Sequence, residues 1–186
     1  MKKLHLGCGK RILKGWVNID NQKGKGADLV HNLCKPLPYK NKSCEFIYSE
    51  HFIEHIDETQ GYNLMVECYR LLCPGGWVRI VTPDIKQYVE CYLDWENMKS
   101  TLPDPKAFKS GISFLNYATI GEAFKDNHQY LYDFNDLKNK MGEIGYIYIR
   151  ECEQRVSKIE SLCNLEEPTE YRIKAKVFVL EGMKPL

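Results

Sequence analysis

The sequence has no Cys-x-x-Cys pair, although it contains eight cysteines, at positions 8, 34, 44, 68, 73, 91, 152 and 163. This spacing argues against a cysteine-based zinc cluster, and several cysteines stand in apolar runs that are typical of strands or helices. No apolar run approaches the roughly 18 residues that a membrane span requires, and the N-terminus has no signal-peptide core. We therefore expect a soluble, cytoplasmic protein with reduced, buried thiols.

An excess of charge of one sign is also missing. The chain has 26 Lys and Arg against 25 Asp and Glu, a formal net charge of +1, and no block of like charges. A global field that attracts nucleic acid or a membrane is thereby excluded, whereas contact through one local patch stays open. There is no internal repeat or low-complexity tract. Its 186 residues suit one domain with its own core, so we expect a single domain over residues 1–186.

Short apolar runs alternate with turn signals and helical patterns in the first half of the chain. Five runs predict strands at Lys3–Leu6, Trp16–Asp20, Asp28–His31, Glu45–Ser49 and Trp77–Val81. Two later alternating runs, Tyr146–Arg150 and Lys174–Leu180, predict paired antiparallel strands. This order predicts an α/β fold with a Rossmann-like, mostly parallel, seven-stranded sheet, a terminal antiparallel strand and three αβα layers.

Capping signals mark three helices. Asp57 and Gln60 form a capping-box pattern at the start of the first helix, which Pro74-Gly75-Gly76 is expected to end. The apolar face expected for this helix contains Tyr62, Met65, Val66, Tyr69 and Cys73. Pro83 has the residue type favoured at the first position of the second helix, and Asp133 is expected to cap the third.

Four polar or glycine-rich features follow the first four strands, at the edge where such sheets bind ligands. Gly7 and Gly9 permit a tight turn and close approach of a ligand to the backbone. Asp20 could accept hydrogen bonds from ribose hydroxyls, Asn32-Leu33 could meet an adenine, and Ser49-Glu50-His51 would lie beneath the reactive end of a cofactor. Each has a plainer interpretation as a turn or cap. Their common order favours a cofactor site.

His51 and His55 are four residues apart, a spacing that can bind a metal ion. The sequence shows no further ligand nearby. We therefore expect no metal site, and an exposed or hydrogen-bonded role for both histidines.

Three segments resemble one protein family. Leu4–Gly9 resembles the first motif of class I S-adenosylmethionine-dependent methyltransferases. Ser43–Ser49 with Glu54-His55-Ile56 resembles the "EH" stretch of the methyltransferase type 11 group, and Leu71–Gly76 matches its L-x-P-G-G segment. The resemblance covers residues 3–82 closely and residues 128–181 loosely. It implies S-adenosylmethionine as the cofactor and methyl transfer as the activity.

The same resemblance assigns parts of the cofactor to residues. The backbone of Gly7-Cys8-Gly9 would hold the methionine moiety, Asp20 the ribose, and Asn32-Leu33 the adenine. Ser49 and Glu50 complete the residues expected at the cofactor.

The sequence departs from the family pattern in three places. His5 occupies a position that is often acidic, so the contact to the cofactor's amino group is missing or comes from elsewhere. Only Lys10–Gly15 separates the glycine loop from the second strand, which predicts a shortened first helix of about one turn. The chain also begins at its first strand, so a lid must come from an insertion at residues 84–132 or from a partner subunit. The oligomeric state stays open.

A methyl acceptor that loses a proton needs a general base, and His51 and His128 are the candidates. Tyr130 and Tyr132 are candidate substrate contacts, although plain packing explains such aromatics equally well. The aromatic insertion favours a small-molecule acceptor, and the fourth strand is not followed by an Asn-Pro-Pro-Tyr-type motif of nucleobase methylation. Two alternatives remain: a binding or regulatory module without turnover, and a nicotinamide-dependent oxidoreductase, which the lack of a third glycine disfavours.

Overall fold

The computed structural model describes residues 1–23, 26–102, 104–120, 128–167 and 176–186, and at residues 105, 118 and 120 it describes the backbone alone. Its strands are β1 (Lys2–Leu6), β2 (Val17–Asp20), β3 (Leu29–Val30), β4 (Cys44–Glu50), β5 (Leu72–Pro83), β6 (Ile147–Cys152) and β7 (Val177–Met183). Its α-helices are α1 (Glu58–Leu71), α2 (Ile85–Leu93), α3 (Trp95–Met98), α4 (Gly111–Ile120) and α5 (Phe134–Ile144).

All seven strands form one sheet in the order β3-β2-β1-β4-β5-β7-β6. Strands β1 to β5 are mutually parallel, and β7 pairs antiparallel with both β5 and β6. This confirms the predicted Rossmann-like sheet and its late antiparallel pair. The start of the predicted seventh strand, at residues 174 and 175, lies outside the described residues. The carboxyl ends of β1, β2 and β4 lie side by side, which brings together the three segments that follow them.

The sheet has an outer layer on each face. Helices α1 and α5 pack on one face through a core that includes Leu4, Ile47 and Met65. On the other face, Phe46 and Tyr48 pack against residues 11–16 and residues 153–166, whose described backbone contains a single 3₁₀ turn, Glu160–Leu162. The outer layer on this face is therefore irregular rather than helical. The crossover from β1 to β2, which belongs to it, is too short for a helix.

Arg79 on β5 fastens this irregular layer to the sheet. Its buried guanidinium donates to Glu166 Oε1 and to Glu181 Oε1, both at 2.7 Å. It also donates to the carbonyl oxygens of Val156 and Glu153. Arginine can satisfy several acceptors at once because its five N–H groups form a planar fork. One side chain thus connects β5, β7 and the covering segment.

Three local predictions differ from the structure. Helix α1 has the predicted capping box but ends at Leu71, so Cys73 belongs to β5. Val66 is 42% exposed, since the buried face of α1 runs through Leu64, Met65 and Cys68. Pro83 is the last residue of β5, and the side chain of Asp84 caps α2 by accepting from the backbone N–H of Lys86.

The crossover from β1 to β2 contains less regular structure than predicted. In place of the predicted one-turn helix, residues 7–16 form turns and contain no helix. Among the described residues, no helix is both long and apolar enough to cross a membrane. The segment between β5 and α5 carries α2, α3 and α4, which share a small cluster around Cys91, Leu102 and Phe114.

Candidate functional site

The loop after β1 turns through two left-handed glycines. Gly7 has φ +66° and Gly9 has φ +54°, a region that other residues rarely adopt. A Cβ added to Gly7 would lie 2.6 Å from Cδ2 of Phe52, whereas one added to Gly9 would meet no atom within 4 Å. Between them, the N–H of Cys8 donates to the carbonyl oxygen of Ile19 at 3.1 Å. Gly7 is therefore required by packing, and Gly9 borders open space.

Asp20 holds this loop from the end of β2. Its Oδ2 accepts from the N–H of Gly9 at 2.8 Å, and its Oδ1 accepts from the N–H of Gln22 at 2.9 Å. Asp20 as a whole residue is 9% exposed. Each oxygen has a further lone pair, so hydroxyl groups of a ligand can also donate to it. Asp20 thus lies beside the glycine loop, as the sequence predicted; a contact with a ribose stays a prediction.

A cavity of about 550 Å³ opens at the carboxyl ends of β1 and β4. The residues that line it are His5, Gly7, Cys8, Gly9, Lys10, Arg11, Glu50, His51 and Glu167. Its size falls in the range of small-molecule and cofactor sites. The structure therefore brings the glycine loop, Glu50 and His51 to one concave surface, while Asp20 is behind the loop rather than in the lining.

Three charged residues of this lining were missed by the sequence analysis. Arg11 forms an ion pair with Glu50, whose side chain is only 9% exposed. Lys10 precedes it, and Glu167 enters from the irregular layer that Arg79 holds. The consecutive Lys10-Arg11 directly after the glycines was the available signal, whereas nothing near Glu167 in the sequence indicated the cavity.

His5 forms part of the cavity floor and is buried. Its Nδ1 donates to Oδ1 of Asn18 at 3.0 Å, and its ring lies 5.2 Å from that of Tyr48. Burial lowers the pKa of His5 to about 4, against which the hydrogen bond to Asn18 acts. The residue that replaces the family's usual acid is therefore a neutral imidazole at physiological pH.

Asn18 organises the crossover loop. Its Oδ1 also accepts from the N–H of Leu13 at 2.8 Å, and its Nδ2 donates to the carbonyl oxygens of Leu13 and Trp16. Asp28 accepts from both the backbone and the side-chain nitrogen of Asn18. These bonds replace the missing helix, because they satisfy backbone groups that a short loop leaves unpaired. A polar residue within the buried β2 was the sequence signal for this role.

The buried carboxylate of Glu54 lies behind the imidazole of His51. Nδ1 of His51 lies 3.0 Å from Oε1 of Glu54, and Oε2 of Glu54 accepts from the hydroxyl of Thr82 at 3.1 Å. Burial alone would raise the pKa of Glu54, but the hydrogen bond from His51 and the charges of His51 and His55 bring it below its usual value. In the neutral form of the imidazole, a hydrogen bond to this carboxylate requires the tautomer with hydrogen on Nδ1, which leaves the lone pair on Nε2.

His51 also has a strained backbone, with φ +50°. Its N–H donates to the carbonyl oxygen of Val81 at 2.9 Å, which holds this conformation against β5. A non-glycine residue in this region costs on the order of 1 kcal/mol or more, and such strain is common at functional sites. The strain places a cavity-lining histidine directly after β4.

The remaining cofactor candidates lie outside the cavity lining. Ser49 is buried, and its hydroxyl donates to the carbonyl oxygen of Leu6. Asn32 is in a turn in which its Oδ1 accepts from the N–H of Cys34 at 2.9 Å. Leu33 is in the core and borders a separate groove beside α1. Their roles at a cofactor stay predictions.

The later candidates form a second group on the α1 side. Tyr132 is fully buried, and its ring packs 4.7 Å from that of Tyr130. The hydroxyl of Tyr130 donates to Oδ2 of Asp136. His128 packs beside His55, with ring centroids 5.0 Å apart. None of the three predicted residues lines the cavity, so only His51 among the catalytic and substrate candidates borders it.

Comparisons with known proteins gave two kinds of similarity. Residues 11–80 match the family model described as a methyltransferase domain. The search of curated proteins gave no significant match.

Several solved structures share the fold at low sequence identity. A Methanosarcina mazei S-adenosylmethionine-dependent methyltransferase is 15% identical, with 100% of this chain and 92% of that chain covered and a TM-score of 0.59. A Thermotoga maritima enzyme, described as a possible histamine N-methyltransferase, is 15% identical over 98% of this chain and 81% of its own, with a TM-score of 0.56. The phosphoethanolamine N-methyltransferase 2 of Haemonchus contortus, in complex with S-adenosylmethionine, is 15% identical over 100% of this chain and 50% of its own, with a TM-score of 0.52.

Proposed function

We propose that the chain is a class I S-adenosylmethionine-dependent methyltransferase that uses S-adenosylmethionine to methylate a small molecule; its fold and the match of residues 11–80 to a methyltransferase domain support this. The observation that carries the proposal is the cavity at the glycine loop, where His51 stands with Glu54 behind it. The methyl-transfer activity, the acceptor class and the residue roles are all our proposals.

The cavity residues fit the methionine end of the cofactor. The open space at Gly9 is where the ligand can approach the backbone closely. Arg11 can bind a carboxylate, and the carboxylates of Glu50 and Glu167 can bind an ammonium group. We propose that these acids supply the contact that the neutral His5 cannot make. Asp20 would hold the ribose, and Asn32-Leu33 would lie near the adenine, as the family pattern implies.

His51 is the proposed general base. The bound cofactor supplies an electrophilic methyl group on a sulfonium, so the protein must orient the acceptor, exclude water and accept a proton. Nδ1 of His51 donates to Glu54, and Nε2 is left as the basic nitrogen of a side chain that borders the cavity. As the acceptor nitrogen or oxygen takes the methyl group and the bond from that group to the sulfonium sulfur breaks, the acceptor's proton would go to Nε2. His128 is outside this lining, so we assign it no part in proton transfer.

A small acceptor suits the dimensions and the lining. A cavity of about 550 Å³ can hold a cofactor end and a compact polar molecule, whose cationic group would find Glu50 or Glu167. Two structural neighbours bear the names of amine methyltransferases, which makes small amines the first acceptors to test. The segment 84–132 is the proposed lid, and the proposed place of action is the cytoplasm. Nucleic acid is not the proposed partner, because the chain has net charge +1.

The test combines binding with transfer. Calorimetry with S-adenosylhomocysteine should show one site per chain, and NAD should give no heat of binding. Labelled methyl should then pass from S-adenosylmethionine to at least one compound in a screen of small amines and phenols. Binding of NAD alone would contradict the proposal, and cofactor binding without transfer to any acceptor would favour a regulatory module.

A further inference from the structure

A second group of polar side chains lies behind His51, away from the cavity. Glu54 and His55 belong to the 3₁₀ turn Ile53–His55, and His128 follows α4 along the chain. One carboxylate oxygen of Glu54 and one nitrogen of each histidine lie within 4.8 Å of one another. Ligand atoms about 2.1 Å from a common ion lie roughly 3.4 Å apart, so small side-chain rotations would close the group around an ion.

The backbone holds the two segments together. The N–H of Gln129 donates to the carbonyl oxygen of Glu54 at 2.7 Å, and its side-chain amide donates to the carbonyl oxygen of His55 at 2.8 Å. The residue next to His128 is therefore hydrogen-bonded to both Glu54 and His55. Such outer support keeps potential ligands near their working geometry before an ion binds.

Among the described residues, the buried carboxylate of Glu54 has the imidazole of His51 as its ion-pair partner. The side chain of Glu54 is completely buried, and within the described ranges no lysine or arginine nitrogen lies within 4.0 Å of its carboxylate. His51 and Thr82 each donate one hydrogen bond, one to each oxygen. An ionised carboxylate in such a place is costly unless it is paired with a cation or coordinates a metal. A divalent ion would supply this charge through a remaining lone pair.

We propose that Glu54, His55 and His128 bind a divalent first-row transition-metal ion. Two imidazoles and one carboxylate are a set that suits Zn²⁺, Fe²⁺, Co²⁺ and Ni²⁺ better than the oxygen-only ligands that Mg²⁺ or Ca²⁺ prefer. His51 would then be an outer residue that orients Glu54 by its hydrogen bond. The metal site shares Glu54 with the His51 pair of the methyl-transfer proposal, but it lies outside the cavity lining and its test needs neither cofactor nor acceptor.

The test uses the full chain after treatment with a chelator and dialysis, without cofactor or acceptor. Zn²⁺ is titrated by calorimetry, and Co²⁺ by its visible absorption. We expect one equivalent to bind, and we expect His55→Ala and His128→Ala each to weaken binding by at least about tenfold. His31→Ala is the matched control, because the His31 ring lies in the loop after β3, where it donates to the carbonyl oxygen of Pro36.

Folding is checked separately, since His55 and His128 are partly buried. Circular dichroism and binding of S-adenosylhomocysteine should be unchanged in the variants, and His128→Gln repeats the test with a side chain closer in size. Wild-type protein that binds less than one equivalent would overturn the proposal, as would unchanged affinity in a folded His55 or His128 variant. Thiolate-to-Co²⁺ charge-transfer absorption would overturn it too, because it would place the ion on a cysteine.

Discussion

Acidification should lower the stability of the protein because His5 is buried as a neutral imidazole. Its pKa falls from 6.5 to about 4 on folding, because burial disfavours the charged imidazole. The unfolded chain therefore binds a proton that the folded chain refuses as the pH drops below 6.5. The stability contributed by neutral His5 is fully present above pH 6.5 and is lost progressively as the pH falls through 4.

The size of the effect follows from the shift. Each pKa unit corresponds to about 1.4 kcal/mol, so the full loss is about 3 kcal/mol, of which about 2 kcal/mol appears by about pH 5. His5→Asn should remove this dependence, since the amide can replace Nδ1 as the donor to Asn18 without titrating. Other groups titrate in both proteins and cancel in the difference between them.

Urea unfolding of both proteins at a series of pH values from about 7.5 to about 5 measures this difference. The variant is expected to lose some stability at every pH from poorer packing. The free energy of unfolding of the wild type should fall towards that of the variant by about 2 kcal/mol as the solution becomes more acidic. Two curves that stay parallel over this range would refute a neutral, buried His5.

Three further predictions follow from the site and its support. Gly7→Ala should cost about 3 kcal/mol in the free energy of unfolding through its clash with Phe52, whereas Gly9→Ala should cost only about 1 kcal/mol from backbone strain. Equal losses of stability in urea titrations would contradict the assigned contacts. His51→Asn keeps a residue that tolerates positive φ and should lower kcat by about 10²–10⁴ with little change in cofactor affinity; unchanged turnover would exclude the proposed base. Arg79→Met should lower the free energy of unfolding by about 3–5 kcal/mol because it leaves buried carboxylates, and similar stability to the wild type would show that the covering layer does not depend on it.

The parts of the fold that could be predicted from the sequence are those fixed by local pattern. Continuous apolar runs indicated β4 and β5, and the capping box at Asp57 gave the start of α1 correctly. The end of α1 was wrong because Pro74-Gly75-Gly76 suggested a stop signal, while extended pairing with β4 already begins at Leu72. The irregular second layer was not visible because long-range bonds such as those of Arg79 determine it.

The candidate site was likewise predicted from the sequence only in part. The glycine loop and His51 follow strands directly and Asp20 ends β2, so strand order was enough to place them near one another. Glu167 comes from a segment far along the chain, and only the folded covering layer brings it to the cavity. The pairing of His55 with His128 rather than with His51 could not be predicted either, since it is a contact between residues more than 70 positions apart in the chain.

The claim that the cavity holds the cofactor is tested most directly by mapping amide NMR shifts of the labelled chain during titration with S-adenosylhomocysteine. The largest shifts should occur in residues 7–11, 20–22 and 50–51. The groove between α1 and α5, lined by Thr59, Tyr62 and Lys140, has a similar volume of about 530 Å³ and serves as the internal control. Shifts concentrated in that groove, or an unchanged spectrum at saturating ligand, would contradict the account.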